Sequence, residues 1–161
     1  MTNDSFIKQG LNHRISIIGP LQVQNELLCQ YLSDQMKDCM VGIGAIPTGN
    51  PAPVAEGAGI LTLVDWKGKD VRAIPGELQP IDAERDSRRF MMLFNVHPKL
   101  MEAIEADAFS FGISGIFFED TSLETFIKGV RAVLEGELWF SRRAMTRLIR
   151  NRQAEPVSHT N

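Results

Sequence analysis

Trp139, Phe140, Ser141 and Arg142 are consecutive near the end of the chain and bring several kinds of recognition chemistry to one place. An indole can stack on a flat ring, a hydroxyl can hydrogen-bond a phosphate, and a guanidinium can do both because it is planar and permanently charged. Together they suit a flat, anionic compound. The second candidate is Asp65, which closes the apolar run 60–64. A parallel strand of that composition would deliver it to the carboxyl edge of a sheet, where α/β folds gather their sites. Its plainer reading is a strand-end carboxylate that caps the turn after it.

Other chemistry finds little footing. His13, His97 and His159 are scattered, with no Cys or carboxylate at ligand spacing, so no metal site is expected. Gly42 and Gly44 run into Pro-rich sequence and open no helix, which argues against a phosphate loop, and no Ser/His/Asp set suggests a catalytic nucleophile. The chain is not expected to be an enzyme. With 161 residues, 43% of them hydrophobic, it can build one real core. A formal charge of −3 and a pI near 5.6 leave it without the basic face of a DNA-binding module. Cys29 and Cys39, with no apolar leader and no spanning run of roughly 18 apolar residues, read as reduced thiols of a cytoplasmic protein without membrane contact.

The elements that must position these residues alternate in type. Residues 14–19 read as a buried strand, followed by a helix carrying Val23, Leu27, Leu28, Tyr31, Leu32 and Met36 at helical spacing. Residues 39–45 form a second strand, and the Pro- and Gly-rich stretch 46–59 is expected to be a loop or a short frayed helix. Strands at 60–65, 90–96 and 113–118 follow. Between them lie a polar stretch whose best helical candidate is 81–88 and a helix over 98–108. Thr121 and Glu124 form a capping box ahead of a helix whose apolar members are Leu123, Phe126, Ile127, Val130, Val133 and Leu134. After Gly136 an extra basic helix spans 138–151, with Phe140, Met145, Leu148 and Ile149 as its apolar members. The pattern predicts a doubly wound, five-stranded parallel sheet of the flavodoxin-like (CheY-like) α/β class with an extra C-terminal helix.

Residues 115–122 (GIFFEDTS), the capped helix, and residues 135–143 (EGELWFSRR) resemble the end of a receiver domain from LuxR-type response regulators. The resemblance implies an N-terminal tail over 1–12, a receiver-like domain over 13–152, and a linker over 153–161 toward a helix-turn-helix domain outside this chain. Receiver chemistry needs an acidic pair after the first strand, an acceptor Asp after the third, a Thr or Ser after the fourth and a Lys after the fifth. Those groups hold Mg²⁺ and compensate the phosphoryl charge. Here the positions read Gly19-Pro20, Asp65, Asn95 and Glu119, so only the acceptor remains. Asp65 is then a degenerate phosphoacceptor, since a carboxylate in place of the Lys repels phosphoryl oxygens.

Within that family, the VpsT-like branch of LuxR/CsgD regulators has degenerate phosphosites. It binds cyclic di-GMP through Trp, then Phe, Leu or Met, then Ser or Thr, then Arg. Trp139, Phe140, Ser141 and Arg142 match all four positions. The resemblance implies a cyclic di-GMP ligand, homodimerisation with Ile149 at the interface, and control of biofilm matrix genes through a DNA-binding domain elsewhere. On chemistry, Arg142 can stack on a guanine, and Ser141 at a helix N-cap can meet a phosphate. Three alternatives stay open. Trp139 and Phe140 can instead seal the last helix against the sheet, Ile149 can pack on its own domain, and Arg143, Arg147, Arg150 and Arg152 can form a solvated basic face. A conventional receiver phosphorylated at Asp65 and a ligand-independent dimerisation module are the rival functions.

Overall fold

The structure, a computed structural model, describes residues 13–44, 56–81 and 88–154. The sheet has five short strands, β1 (His13–Ile18), β2 (Cys39–Ile43), β3 (Ile60–Asp65), β4 (Arg89–Val96) and β5 (Gly115–Phe118), and the central ones carry the near-continuous apolar runs of strands covered on both faces. All pair in parallel in the order β2-β1-β3-β4-β5. Order reverses between β1 and β3, so a crevice opens at their carboxyl ends, beside Asp65.

Successive strand residues face opposite layers. Leu61, Leu63, Met92, Phe94 and Phe117 enter one core with Leu32, Met36, Phe126 and Val130, which come from α1 (Gln22–Gln35), its C-terminal end and α4 (Leu123–Leu134). Val64, Leu93 and Ile116 enter the other, with Val71, Ile74, Ile104 and Ala108. That second layer is built from a one-turn α2 (Ile74–Glu77), led by a 3-10 turn at Val71–Ala73, and from α3 (Met101–Ser110).

Several boundaries differ from the sequence expectations, for identifiable reasons. The helical piece in the polar stretch is Val71–Glu77, where Pro75 and Gly76 read as breakers. Pro in a first helical turn removes only an N–H that has no intrahelical partner, so α2 tolerates it. The candidate helix 81–88 falls largely outside the described residues, as do 45–55, the tail 1–12 and most of the linker. The cap of α4 is Ser122, not Thr121: Ser122 Oγ accepts from Thr125 N at 3.2 Å, and Glu124 pairs with Lys128 instead of returning to a cap. The last helix, α5, spans Arg142–Ala154 in place of 138–151. Residues 138–141 are not helical, and the helix ends three residues later than its spacing predicts.

The amino edge of the sheet carries one pH-sensitive contact. His13 Nδ1 accepts the Gly59 N–H at 2.8 Å, which only an unprotonated Nδ1 can do. Burial, helped by the Arg88 and Arg131 charges and opposed by those of Asp38 and Glu135, holds its pKa below the ordinary value. A histidine depressed in the fold binds protons more readily when unfolded. Its stabilisation is therefore complete above about pH 6.5 and is lost as pH falls toward the lowered folded value. Thermal melts of the native chain and of His13→Gln should converge as pH drops from 7.5 to 5.5; a constant difference between them would contradict this.

Candidate functional site

The route to the last helix begins with a missing side chain. Gly115 opens β5, and a Cβ there would lie 2.7 Å from both the Cβ and the carbonyl oxygen of Trp139. Because it has none, residue 139 draws alongside β5 as a parallel bridge, Trp139 N donating to Ser114 O at 2.8 Å and Ile116 N to Trp139 O at 3.0 Å. The segment is a stub of a sixth strand and obeys strand alternation. Trp139 turns to the first core, its ring 6.3 Å from Phe117 and pressed against Gly129, where an added Cβ would meet the indole at 2.9 Å. Phe140 turns to the second core and meets Phe109 edge-on at 6.2 Å.

The two aromatics of the motif therefore anchor the chain on both faces of the sheet, as the sealing alternative expects, and both remain half-buried rather than fully enclosed. Ser141 is the N-cap of α5: its Oγ accepts from Ala144 N at 3.1 Å. Its proton and its backbone N–H are directed elsewhere, to the Glu105 carboxylate, at 2.7 Å from Oγ and 2.6 Å from N. Arg142, the first helical residue, is exposed, and its guanidinium makes no ion pair or hydrogen bond among the described residues. The next two arginines along that helix behave differently. Arg143 and Arg147 both reach Glu102 of α3, at 3.0 and 3.4 Å.

Ile149 is 56% exposed on α5, so it does not pack into its own domain. Seven residues is close to two helical turns, which puts Arg142 and Ile149 on one outward face about 10 Å apart. Thr146, between them on that face, turns its hydroxyl back to Arg142 O.

The carboxyl edge encloses Asp65. Asp65 is 2% exposed. One carboxylate oxygen accepts from Lys67 N at 3.0 Å and from Asn95 Nδ2 at 3.2 Å, the turn-capping role foreseen as its plainer reading. The other is buried with no partner among the described residues. Gly19 covers it: a Cβ there would lie 2.6 Å from the Asp65 Cβ, so the position where receivers carry acid has no room for any side chain without displacing Asp65. Asn25 Nδ2 holds Gly19 in place through its carbonyl at 3.1 Å. Asn95 sits in the left-handed region at φ 58°, which Asn tolerates better than most residues, beside an irregularity in the β4–β5 pairing. Beyond this seal lies a hollow of 350 Å³, lined among others by Asn25, Leu28, Lys67, Asn95, Phe117 and Glu119. Among the described residues no cluster of His, Cys, Asp or Glu could hold a metal ion, and no helix is long and apolar enough to cross a membrane. Cys29 and Cys39 are half-buried free thiols, and burial, with Asp38 beside it, pushes Cys39 up to about 12.

Glu105 is the site residue that sequence reading passed over. It lies on the inward arc of α3, four residues after Met101 and three before Ala108, and a charge at that register was the signal available.

Comparison with known proteins bears on the fold. No protein-family model and no curated protein sequence matches the chain. Among solved structures, the regulatory domain of the master biofilm regulator CsgD is similar, with 19% identity, a TM-score of 0.61, and coverage of 86% of this chain and 99% of that one. A LuxR family DNA-binding response regulator from Silicibacter pomeroyi aligns at 14% identity and a TM-score of 0.56, over 81% of this chain and 98% of that one. RcsB, solved as two dimers bound to two parallel DNAs, aligns at 12% identity and a TM-score of 0.53, over 92% of this chain and 72% of that one. The first of these is a regulatory domain and the second a LuxR family response regulator, and the five-stranded parallel α/β fold of this chain matches that of receiver domains.

The sealed carboxylate yields a prediction. Incubation with Mg²⁺ and acetyl phosphate should leave the intact mass unchanged, because nucleophilic attack needs an approachable oxygen. A phosphoryl adduct mapped to Asp65 would contradict it.

Proposed function

We propose that this chain is the receiver-like regulatory domain of a LuxR-type transcription factor that senses cyclic di-GMP instead of a phosphoryl group. Ligand is bound at the start of α5, dimerisation follows, and a DNA-binding domain outside this chain is thereby positioned on biofilm matrix promoters. The observation that carries the reading is Arg142: an exposed guanidinium without an acidic partner among the described residues, beside a strand-anchored aromatic pair and on the same helical face as exposed Ile149. A planar cation in that position can stack on a guanine and donate to its edge or to a phosphate. The buried acceptor supports it, because a receiver fold with Asp65 closed off needs another input. The biofilm regulator among the structural neighbours supports the gene class, and the dimeric DNA-bound neighbour supports the output.

The mechanism is a population shift. A doubly charged dinucleotide contacted by Arg142 from two protomers binds the dimer better than the monomer, and ligand favours the dimer by that difference in affinity. Trp139 has a restricted part, since its ring is held against Phe117 and Gly129. It braces the segment and leaves only its outer portion to a ligand.

A second reading has one specific observation in its favour. The firm packing of Trp139 and Phe140 also suits a ligand-independent dimerisation module using the Ile149 face.

Two variants separate the readings. Arg142→Ala should remove detectable cyclic di-GMP binding by calorimetry, a loss of at least about 2 kcal/mol for a charge-assisted contact, with the melting temperature kept. Undiminished affinity would contradict the ligand site. Ile149→Glu should retain ligand-dependent heat yet stay monomeric by light scattering at saturating ligand; a mass that still doubles on ligand addition would contradict the interface. A native chain that is dimeric at all ligand concentrations would favour the second reading.

A further inference from the structure

The first turn of α5 poses an electrostatic problem. It carries Arg142 and Arg143 and no acidic residue, although a helix N-terminus already has partial positive charge. The compensating anion comes from another helix. Glu105 of α3, 4% exposed, accepts from Ser141 N at 2.6 Å and from Ser141 Oγ at 2.7 Å, and Oγ in turn accepts from Ala144 N. The hydroxyl's one proton and the capping N–H are thus both committed to a carboxylate that is part of the protein. A ligand phosphate arriving at Ser141 would have to displace a buried group of its own sign, so Ser141 is closed to it.

One turn earlier on α3, Glu102 draws Arg143 and Arg147 toward α3. Two acids three residues apart on α3 thereby sort the cations of α5: Arg143 and Arg147 lie against α3, and Arg142 is left pointing away. Resting on the cyclic di-GMP reading above, we infer that Glu105 is a positioning residue. It occupies the anion place at the N-terminus of α5, fixes the first turn through Ser141, and aims Arg142 at the ligand. Ser141 then serves the site through Glu105 and not by touching phosphate.

The test uses the full 161-residue chain, cyclic di-GMP calorimetry, and hydrogen exchange resolved along α5. Glu105→Ala should weaken binding by about tenfold or more and speed exchange at Ala144 and Met145 by a similar factor, as expected for loss of a charged cap, while strand amides keep native protection. Glu105→Gln, which keeps one acceptor oxygen, should fall between the two. A merely structural role would lower the melting temperature and leave the affinity of the folded protein unchanged, and that result would overturn the inference. So would weakened binding with native exchange in α5. Should Glu105→Ala fail to fold, Ser141→Ala is the second variant: it keeps the N–H bond to Glu105 and loses the hydroxyl, and should move both readouts in the same direction by less. If the native chain binds no cyclic di-GMP, the functional reading fails on that arm alone. The exchange arm then still decides whether Glu105 organises the turn, with native protection in both variants overturning it.

Discussion

The pairing of Trp139 with the edge of β5 determines where everything after it goes. Two backbone hydrogen bonds and the absent side chain of Gly115 let the chain run beside the sheet for one bridge before it turns into α5. Alternation sends Trp139 into one core and Phe140 into the other. A segment held from both faces cannot rotate, and α5 therefore starts at a fixed place with a fixed phase. Any side chain at 115 would push residue 139 off the edge and move the whole outward face of α5.

From that phase the division of labour among charged groups follows. Glu105 and Glu102 neutralise the near side of α5, and Arg142 and Ile149 share its far side. The carboxyl edge is ordered in the same way, with Asp65 committed to structural bonds. It caps a turn, bonds Asn95, and lies under Gly19. The receiver-like fold is kept while Gly19 packs directly on Asp65.

Much of this was legible in the sequence. The apolar runs at 60–64, broken only by Thr62, and at 90–94 mark the central strands, and the α4 stripe packs on the core as its spacing suggests except for Leu123, which is exposed. The absence of acid at Gly19-Pro20 was legible, though not that Gly19 packs directly on Asp65. Three features were hidden, two because they depend on contacts distant in the chain and one because it is a local choice between neighbouring residues. The extended state of residues 138–140 looks helical by spacing and is imposed by the open edge of β5. The cap at Ser122 in place of Thr121 is a one-residue choice that composition does not decide. The engagement of Ser141 by Glu105 spans 36 positions, so a serine that reads as free for phosphate is already satisfied.

The central claim is that a dinucleotide is met at the start of α5 and not at the crevice of the sheet. The most direct measurement is an NMR titration of cyclic di-GMP into the isotopically labelled chain, with GTP as the control. Shifts should saturate with cyclic di-GMP alone and cluster on the amides of Arg142 through Ile149 and the Trp139 indole, with Asp65, Asn95 and Glu119 unmoved. Perturbations centred on the carboxyl edge, or none at saturating ligand, would contradict it.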